Sequence, residues 1–336
     1  MKVYAPGKLI LSGEHAVVYG QPALAMAVNR YATATVTREG GPRFLLDLAD
    51  LAHRSHFSVN GLQQLKSRIK RKYQRFMNGE YTIRQVLHKP FELAQVALGI
   101  FAESFNISLS HGVKIQVAST IPIGCGMGSS AATIISVLYA ISSYFDVPLT
   151  TENLYQLALE AENMQHGRSS GVDLRVALNG GCLYVNEQQQ FIRPVPNLTM
   201  YLVNTGTPLS STGQCVAEVA THFQSIQLGQ DFAAITNAMD QALQQQSSMN
   251  MCEAIRANHQ LLTAIGVVPS KVQQFIQQIE AGDGAAKICG AGAVMGDQAG
   301  AVLVVTDDQA RLEYLVAQYG YQVLPIIGES RGVHAG

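Results

Sequence analysis

Tryptophan is absent from this chain of 336 residues, and only 14% of the residues are charged. Neither sign of charge dominates, because 23 Lys and Arg face 24 Asp and Glu, for a net charge of −1. No whole-protein field therefore exists to gather nucleic acid or an anionic membrane, and any phosphate must be held locally. Hydrophobic residues make up 47% of the chain, which argues against disorder. At roughly 150 residues per domain, the length corresponds to about two domains.

Paired cysteines and long apolar runs are missing as well. The five cysteines stand far apart and form no CxxC pair or Cys/His cluster of the kind that binds zinc, which indicates free thiols in a reducing compartment. Gly7, Lys8 and Glu14 interrupt the apolar amino terminus, so it has no signal-peptide core. Residues 115 to 145 are uncharged, but Pro122 and several glycines break them before the ~20 apolar residues of a membrane helix. We expect a cytoplasmic protein with no membrane partner and no nucleic-acid partner.

The hydrophobic pattern predicts a mixed α+β chain. Alternating residues at 3–11 and 31–37 predict strands, and residues 91 to 105 predict a helix. Residues 61 to 90 carry eight Lys or Arg and one acid, with apolar residues at helical spacing. This basic amphipathic helix is either a solvated surface helix or a lid that helps to hold polyphosphate.

Further elements follow in the same order along the chain. We expect a strand from Gly112, helices at 131–145 and 151–165, turn and strand at 167–185, helices near 213–228, 230–246, 251–264 and 270–280, a strand at 300–305, a helix at 307–318 and a last strand at 321–327. Residues 187 to 197 are polar and carry two prolines, so they predict a domain junction. The resulting division is into residues 1–190 and 191–336.

A glycine-rich loop between a strand and a helix is the most informative local motif. It begins at Pro122, has glycine at 124, 126 and 128, and ends in Ser129 and Ser130 before the helix. Alternate glycines let backbone N–H groups converge on an anion, and the helix amino terminus adds further donors. The loop has neither the Gly-Lys-Ser/Thr ending of a Walker loop nor the glycine spacing of a dinucleotide fold. It predicts a phosphate site, with a tight structural turn as the alternative.

Lys8 lies in an alternating, half-buried strand and is followed by Glu14 and His15. A buried ammonium needs an anionic partner, either a phosphate or a carboxylate, unless its stem packs while the amine reaches water. Glu14 and His15 are either site residues or an ordinary polar turn.

Two carboxylates later in the chain are candidates for the same chemistry. Asp173 follows Ser-Ser-Gly-Val, a pattern that suits either a turn or a carboxylate directed into a cleft. Glu162 shares a helix side with Leu159 and His166 and is predicted to be half-buried. Near a phosphate loop and a serine hydroxyl, such a carboxylate can bind Mg²⁺. For His166, which has no second histidine at ligand spacing, a simple hydrogen-bonding role is preferred.

Together these motifs resemble those of the GHMP small-molecule kinases, which include galacto-, homoserine, mevalonate and phosphomevalonate kinases. The resemblance covers residues 5–28, where it is greatest to mevalonate kinases, then 121–133, 162–176 and a glycine motif at 287–297, in matching order. It implies an amino-terminal domain resembling the ribosomal-protein-S5 domain 2 fold and a carboxyl-terminal ferredoxin-like domain. The active site would lie between them, and a homodimer is possible by resemblance.

The resemblance also implies roles for individual residues. The ATP phosphates would be held by the loop residues Pro122, Gly124, Gly126, Met127, Gly128, Ser129, Ser130 and Ala131. Mg²⁺ would be bound by the hydroxyl of Ser130, or of Ser129, together with Glu162. Asp173 would lie beside the attacking alcohol and Lys8 beside Asp173 and the transferring group. The substrate would meet Glu14, His15, Asp173 and Thr212.

The implied reaction is ATP- and Mg²⁺-dependent phosphorylation of the primary hydroxyl of mevalonate to 5-phosphomevalonate. Whether Asp173 removes the hydroxyl proton or mainly orients the alcohol stays open. The alternatives are phosphomevalonate kinase, a mevalonate kinase acting at another hydroxyl, and a non-catalytic sensor on the same fold, with an NAD-dependent oxidoreductase as a remote third class. The glycine motif departs from the family pattern, with Ala, Val and Met where more glycine is common, which leaves backbone roles for Gly290 and Gly292.

Overall fold

Two β-sheets with helices packed against them make up the computed structural model, which describes residues 1–89, 91–122, 126–186 and 189–336. The strands are β1 (Lys2–Ser12), β2 (Ala23–Glu39), β3 (Phe44–Leu48), β4 (His53–Phe57), β5 (Gly112–Ser119), β6 (Cys182–Val185), β7 (Gln190–Arg193), β8 (Met200–Asn204), β9 (Ala285–Ile288), β10 (Ala301–Val305), β11 (Gln322–Ile326) and β12 (His334–Ala335). The helices are α1 (Val59–Met77), α2 (Glu92–Ser104), α3 (Ser129–Tyr144), α4 (Thr151–His166), α5 (Val172–Asn179), α6 (Thr212–Val219), α7 (Ile226–Gln244), α8 (Ser248–Ala264), α9 (Ser270–Glu280) and α10 (Gln309–Tyr319).

The first sheet runs in the order β12-β1-β2-β5-β3-β4, and β6 pairs with β2 and with β7. All its pairings are antiparallel except that of β3 with β5. The long strands β1 and β2 form its centre, and β1 carries Lys8. The register between them shifts after Pro6 and again between Ile10 and Ser12, and such irregularities bend a strand locally.

The second sheet is fully antiparallel and runs in the order β11-β8-β10-β9. Numbered within this half of the chain, the strand order is 4-1-3-2, with helices between the first and second and between the third and fourth strands. This is the βαββαβ arrangement of a ferredoxin-like unit. The expectation of α+β architecture with a ferredoxin-like second part is confirmed.

Helix α3 is the central helix of the first part. Isoleucine, valine, leucine and alanine lie on nearly all sides of it, and a helix apolar all round is a buried one. Its amino terminus begins at Ser129, directly after Gly128, so the core that fixes α3 also fixes the end of the glycine loop. No helix in the described part of the chain combines the length and apolar composition that a bilayer crossing requires.

The predicted helices and strands are largely confirmed, but the helix predicted over 61–90 ends at Met77 and one helix was not predicted. Residues 167 to 185 were expected to form only turn and strand, but they contain α5, a helix of eight residues. Its N-cap is Gly171 in the left-handed conformation, without a capping side chain, so the usual start signal for a helix is missing. The error matters because α5 carries Asp173. At α4, Thr150 is the N-cap and accepts from the N–H of Asn153.

Candidate active site

Lys8 and Asp173 form an ion pair across the first part of the fold. The Nζ atom of Lys8 lies 3.1 Å from Oδ1 of Asp173, and the side chains are 7% and 31% exposed. Lys8 is buried on β1, while Asp173 is the second residue of α5. The expectation that Lys8 needs an anionic partner is therefore confirmed, and the partner is a carboxylate. The more exposed aspartate leaves the pair open on one side.

The glycine loop meets this pair directly. Gly128 has φ of +66°, and a Cβ there would lie 3.0 Å from Cγ of Lys8 and 3.4 Å from Oδ2 of Asp173. The backbone N–H of Lys8 donates to the carbonyl of Met127 over 2.9 Å. Glycine is needed at 128 both for its left-handed backbone and for the close approach. The loop, the lysine and the aspartate are thus brought together.

The remaining loop residues divide into backbone and side-chain roles. Gly126 has φ of +67°, whereas Gly124 and its neighbours at 123 and 125 lie outside the described residues. The side chains of Met127 and Ala131 are buried in the core, so only their backbone atoms can face a phosphate. Pro122 is half-buried. The first N–H groups of α3 have no partner within the helix, and with the positive end of its dipole they favour an anion.

Ser130 and Glu162 lie beside the loop and contact each other. The hydroxyl of Ser130 donates to Oε1 of Glu162 over 3.1 Å, and Nε2 of His166 lies 3.5 Å from the same oxygen. Glu162 is buried, more deeply than the half-buried position predicted for it, and its Oε2 atom has no hydrogen-bond partner. Burial, together with the negative charge of Asp173, raises the pKa of Glu162 to about 7. A desolvated carboxylate oxygen of this kind is stabilised by a cation.

These two side chains fit Mg²⁺. The hydroxyl and the carboxylate offer oxygen ligands, which Mg²⁺ prefers, and an unsatisfied carboxylate oxygen is already present. Within the described residues there is no group of three or more His, Cys, Asp or Glu that could hold a metal ion. An ion here would therefore need phosphate oxygens and water to complete its coordination, as Mg²⁺ at nucleotides does.

Glu14 and His15 are both buried, which the sequence did not predict. The carboxylate of Glu14 forms an ion pair with Lys287 on β9, and both side chains are almost completely buried. Nε2 of His15 lies 3.0 Å from the carbonyl oxygen of Ala291, and burial lowers the pKa of this histidine. The turn that contains them thus contacts the second part of the fold.

Lys287 is a site neighbour that sequence reasoning did not single out. It opens the glycine motif at 287–297 but was treated only as part of that motif. The signal was available, because Lys287 interrupts the apolar strand AAKI just as Lys8 interrupts β1. In both strands a lysine among buried residues indicates a buried anionic partner.

The glycine motif at 287–297 lies against the glycine loop. A Cβ on Gly126 would lie 4.0 Å from the carbonyl oxygen of Cys289, and Gly290 has φ of +90° with open space at its Cβ position. The Ser210 hydroxyl accepts from the N–H groups of Val294 and Met295. This places the start of α6 next to the motif. Thr212, the first residue of α6, is exposed there.

The described residues thus bring most of the predicted site residues together between the two sheets. Comparison with known proteins identifies the family. The model of the GHMP kinase N-terminal domain family matches residues 92–181, which include the glycine loop and Asp173. Mevalonate kinase of Archaeoglobus fulgidus is 32% identical over 292 residues, covering 86% of this chain and 88% of that protein.

Solved structures show the same fold. A mevalonate kinase crystal structure has a TM-score of 0.82 at 22% identity and covers 98% of this chain and 100% of that one. The mevalonate kinase of Methanococcus jannaschii has a TM-score of 0.81 at 22% identity and covers 98% of both chains. The fold, the order of the motifs and the identity over most of the chain lead to one conclusion: this chain belongs to the mevalonate kinase family of the GHMP kinases.

Proposed function

We propose that this chain transfers the γ-phosphate of ATP to the primary hydroxyl of mevalonate and so forms 5-phosphomevalonate. The observation that carries the proposal is the Lys8–Asp173 ion pair of 3.1 Å at the mouth of a glycine loop. The family membership supports the same reaction class, because relatives of this chain at 32% and 30% identity are named mevalonate kinase.

In the proposed mechanism, the glycine loop and the amino terminus of α3 hold the ATP phosphates. Phosphoryl transfer depends mainly on in-line placement and charge compensation, because the protein has little covalent chemistry to perform. Asp173 accepts a hydrogen bond from the substrate hydroxyl and orients its oxygen toward the γ-phosphate. Lys8 lies between Asp173 and the loop, where its positive charge stabilises negative charge on the reacting oxygens.

The proton of the hydroxyl moves to Asp173, either before the phosphoryl group arrives or late in the transfer. The neighbouring Lys8 ammonium stabilises the alkoxide character of the oxygen in either case. Both routes use the same two side chains, and both predict that an amide at position 173 fails.

Mg²⁺ is proposed to be held by Ser130 and Glu162 beside the ATP phosphates, where it supplies charge neutralisation. Glu162 would have to be ionised to hold the ion, and a cation beside it would lower its pKa from the value of about 7. The hydroxyl of Ser130 already contacts the carboxylate, so the two ligands are oriented before the ion binds.

On the substrate side, we propose that mevalonate lies near His15, Asp173 and Thr212, with Glu14 behind the histidine. A division at residues 190 and 191, a homodimer and a cytoplasmic location are also proposed. The strand β7, at 190–193, crosses this proposed boundary and pairs with β6 of the first sheet. Sedimentation velocity tests the homodimer directly.

A coupled assay of ADP release with mevalonate, with and without Mg²⁺, tests the activity. We expect turnover that requires both, and a new phosphomonoester at the primary position in the phosphorus NMR spectrum. Turnover with phosphomevalonate or another alcohol, but not with mevalonate, would replace the substrate and keep the kinase chemistry. Tight ATP binding without transfer to any alcohol in a panel would favour the sensor.

A further inference from the structure

A buried ion pair links the turn after β1 to strand β9 of the second sheet. Lys287 on β9 is completely buried, and the Glu14 side chain that pairs with it is 1% exposed. Removing two charges from water is expensive and is repaid only when the geometry and the extra hydrogen bonds are good. A buried ion pair is by itself weak evidence for stability, so the pair needs a reason beyond stability.

Lys287 contacts the strand of Lys8 at the point where that strand is irregular. Its Nζ atom donates to the carbonyl of Ile10 over 3.3 Å as well as to Oε1 of Glu14. The register shift between Ile10 and Ser12 is at this point of β1. Ile10 lies two residues beyond Lys8, so a side chain of the second sheet fixes the strand that carries the site lysine.

A second set of buried hydrogen bonds holds the same end of β1. The Ser12 hydroxyl lies 2.7 Å from Oγ1 of Thr236 on α7 and accepts from the side-chain amide of Asn258 on α8 over 2.8 Å. His259 is next to Asn258, and burial together with the Lys287 charge lowers its pKa to about 4. A histidine with this pKa is neutral near pH 7, so it adds no second positive charge beside Lys287.

The turn that follows Ser12 is strained. His15 has φ of 60° and ψ of −50°, and the N–H of Ala16 donates to the carbonyl of Glu14 over 2.6 Å. This is a γ-turn with positive φ at its centre, a rare conformation for a residue with a side chain. Such strain persists only where surrounding contacts determine the conformation. Here those contacts are the Glu14–Lys287 pair and the His15–Ala291 contact.

We propose that Lys287 is a positioning residue for the substrate side of the site. Lys287 holds the carboxylate of Glu14, and this pair fixes the strained turn and so presents His15 to mevalonate. Glu14 therefore acts through Lys287 and does not contact the substrate. The carboxylate of Glu14 supports this, because both its oxygens are shielded and Oε2 has neither solvent nor a hydrogen-bond partner. This inference deepens the proposed function and rests on it.

The decisive variant is the double substitution Glu14→Gln and Lys287→Met, because it removes both charges and keeps the volumes. Lys287→Met alone leaves a buried unpaired carboxylate, which is strongly destabilising and can prevent folding, whereas a neutral replacement of both partners is tolerated. We expect the double variant to fold, with KM for mevalonate raised at least about tenfold and KM for ATP changed less than about twofold.

A double-mutant cycle separates positioning from direct contact. If Glu14 acts through Lys287, then Glu14→Gln and the double variant raise KM for mevalonate by similar factors, and Lys287→Met does the same where it folds. Losses that multiply in the double variant would mean that Glu14 binds the substrate directly, and would overturn the proposal. A double variant with the KM of the wild type would overturn it as well.

Amide exchange supplies a readout that needs no activity. In the unliganded protein we expect the Ala16 amide to exchange at least about tenfold faster in the double variant than in the wild type, because the turn relaxes. Equal exchange would overturn the proposal. If the wild type does not phosphorylate mevalonate, the proposed function fails, and the exchange measurement still decides whether Lys287 holds the turn.

The matched control is another charge pair that joins the first sheet to α7. Arg193 on β7 contacts Asp240 through bonds of 2.8 Å and 3.1 Å, with side chains 19% and 11% exposed. The variant Arg193→Met with Asp240→Asn removes an ion pair without touching the His15 turn. We expect it to leave KM for mevalonate and the exchange of Ala16 as in the wild type.

Discussion

At the residue scale, the two lysines that interrupt apolar strands define the site. Lys8 pairs with Asp173, which is partly open, and Lys287 pairs with Glu14, which is closed. Asp173 is therefore exposed enough to contact a substrate, whereas Glu14 is not. The same sequence rule applies to both, but the rule does not say which partner faces the cleft.

Replacing Asp173 by Asn tests the reacting pair. The amide keeps the shape but can neither accept the proton nor balance Lys8, so we expect kcat to fall at least ~10²-fold with ATP binding nearly unchanged. Single-turnover kinetics and ATP titration measure the two quantities. Asp308→Asn is the control, because Asp308 caps α10 and we expect it to alter stability only. Near-normal turnover of the Asp173 variant would remove this residue from the mechanism.

Glu162 links the site to the pH dependence of stability. Its pKa is about 7 in the folded protein, against 4.5 for a free glutamate, so the folded state holds its proton to higher pH than the unfolded state does. The contribution is therefore fully present below about pH 4.5 and is lost as the pH rises through 7, with a magnitude of roughly 3 kcal/mol. The ligand-free protein is thus destabilised at pH 8 by its own carboxylate.

The variant Glu162→Gln separates stability from activity. It mimics the protonated form, so we expect a higher free energy of unfolding than the wild type at pH 8, with a smaller difference near pH 5, and kcat reduced at least ~10²-fold. Denaturant unfolding at both pH values checks the first part and the coupled assay the second. A variant less stable than the wild type at pH 8 would contradict the burial argument.

At the element scale, α3 and α5 matter because each begins at a left-handed glycine. Gly128 precedes α3 with φ of +66°, and Gly171 precedes α5 with φ of +72°. A Cβ on Gly171 would collide with Oη of Tyr155. These two glycines allow two helix amino termini to converge on the Lys8–Asp173 pair.

Gly128→Ala tests the requirement for close approach. A Cβ there is strained at positive φ and would lie 3.0 Å from Cγ of Lys8, so the lysine must shift. We expect kcat/KM to fall at least about tenfold and stability by about 1 kcal/mol. Gly320→Ala is the control, since Gly320 has φ of +70° with nothing near its Cβ position. It should cost the same stability and leave kcat/KM unchanged, and equal activity of the two variants would refute the crowding argument.

The sequence predicted elements with strong periodicity and overlooked those that depend on tertiary contacts. Helices α3 and α4 were predicted because their apolar patterns are long, whereas α5 is short and starts at a glycine. The basic helix at 61–90 was expected, but α1 ends at Met77, and its Lys66 is buried against Glu103 and Glu160 on neighbouring helices. The charge pattern therefore predicted too long a helix and too many solvent-exposed lysines on it.

The chemistry of the site was predictable from the sequence, but the burial of its side chains was not. Lys8, Asp173, Ser130 and Glu162 were singled out from residue types and motif order, and their mutual contacts fit that prediction. The burial of Glu14 depends on a partner 273 positions away in the sequence, which no local pattern reports. Their catalytic and binding roles stay predictions until the variants are measured.

At the scale of the whole molecule, the carboxyl terminus returns to the first sheet. The strand β12 pairs Val3 with Ala335 and Tyr4 with His334, and the Gly336 N–H donates to the carbonyl of Lys2 over 3.0 Å. The rings of Tyr4 and His334 stack with centroids 5.6 Å apart. Residues from both ends of the chain therefore close the edge of the sheet that carries Lys8.

Deleting residues 333–336 tests the importance of this closure. The deletion removes several backbone hydrogen bonds, each worth about 1 kcal/mol, and the stacked ring, so we expect Tm to fall by several degrees. Turnover should stay within about twofold, because no removed residue contacts Lys8 or Asp173. His334→Ala is the companion variant, since it keeps the backbone pairing and removes only the ring. An unchanged Tm after the deletion would show that β12 contributes nothing to stability.

The return of the terminus also sets an order of events during synthesis. The strand β1, which carries Lys8, precedes every other strand described here, yet its outer neighbour β12 follows all of them in the chain. Until β12 has been synthesised, one edge of β1 lacks this partner and can pair with other chains. The first sheet therefore cannot be completed until β12 has emerged from the ribosome.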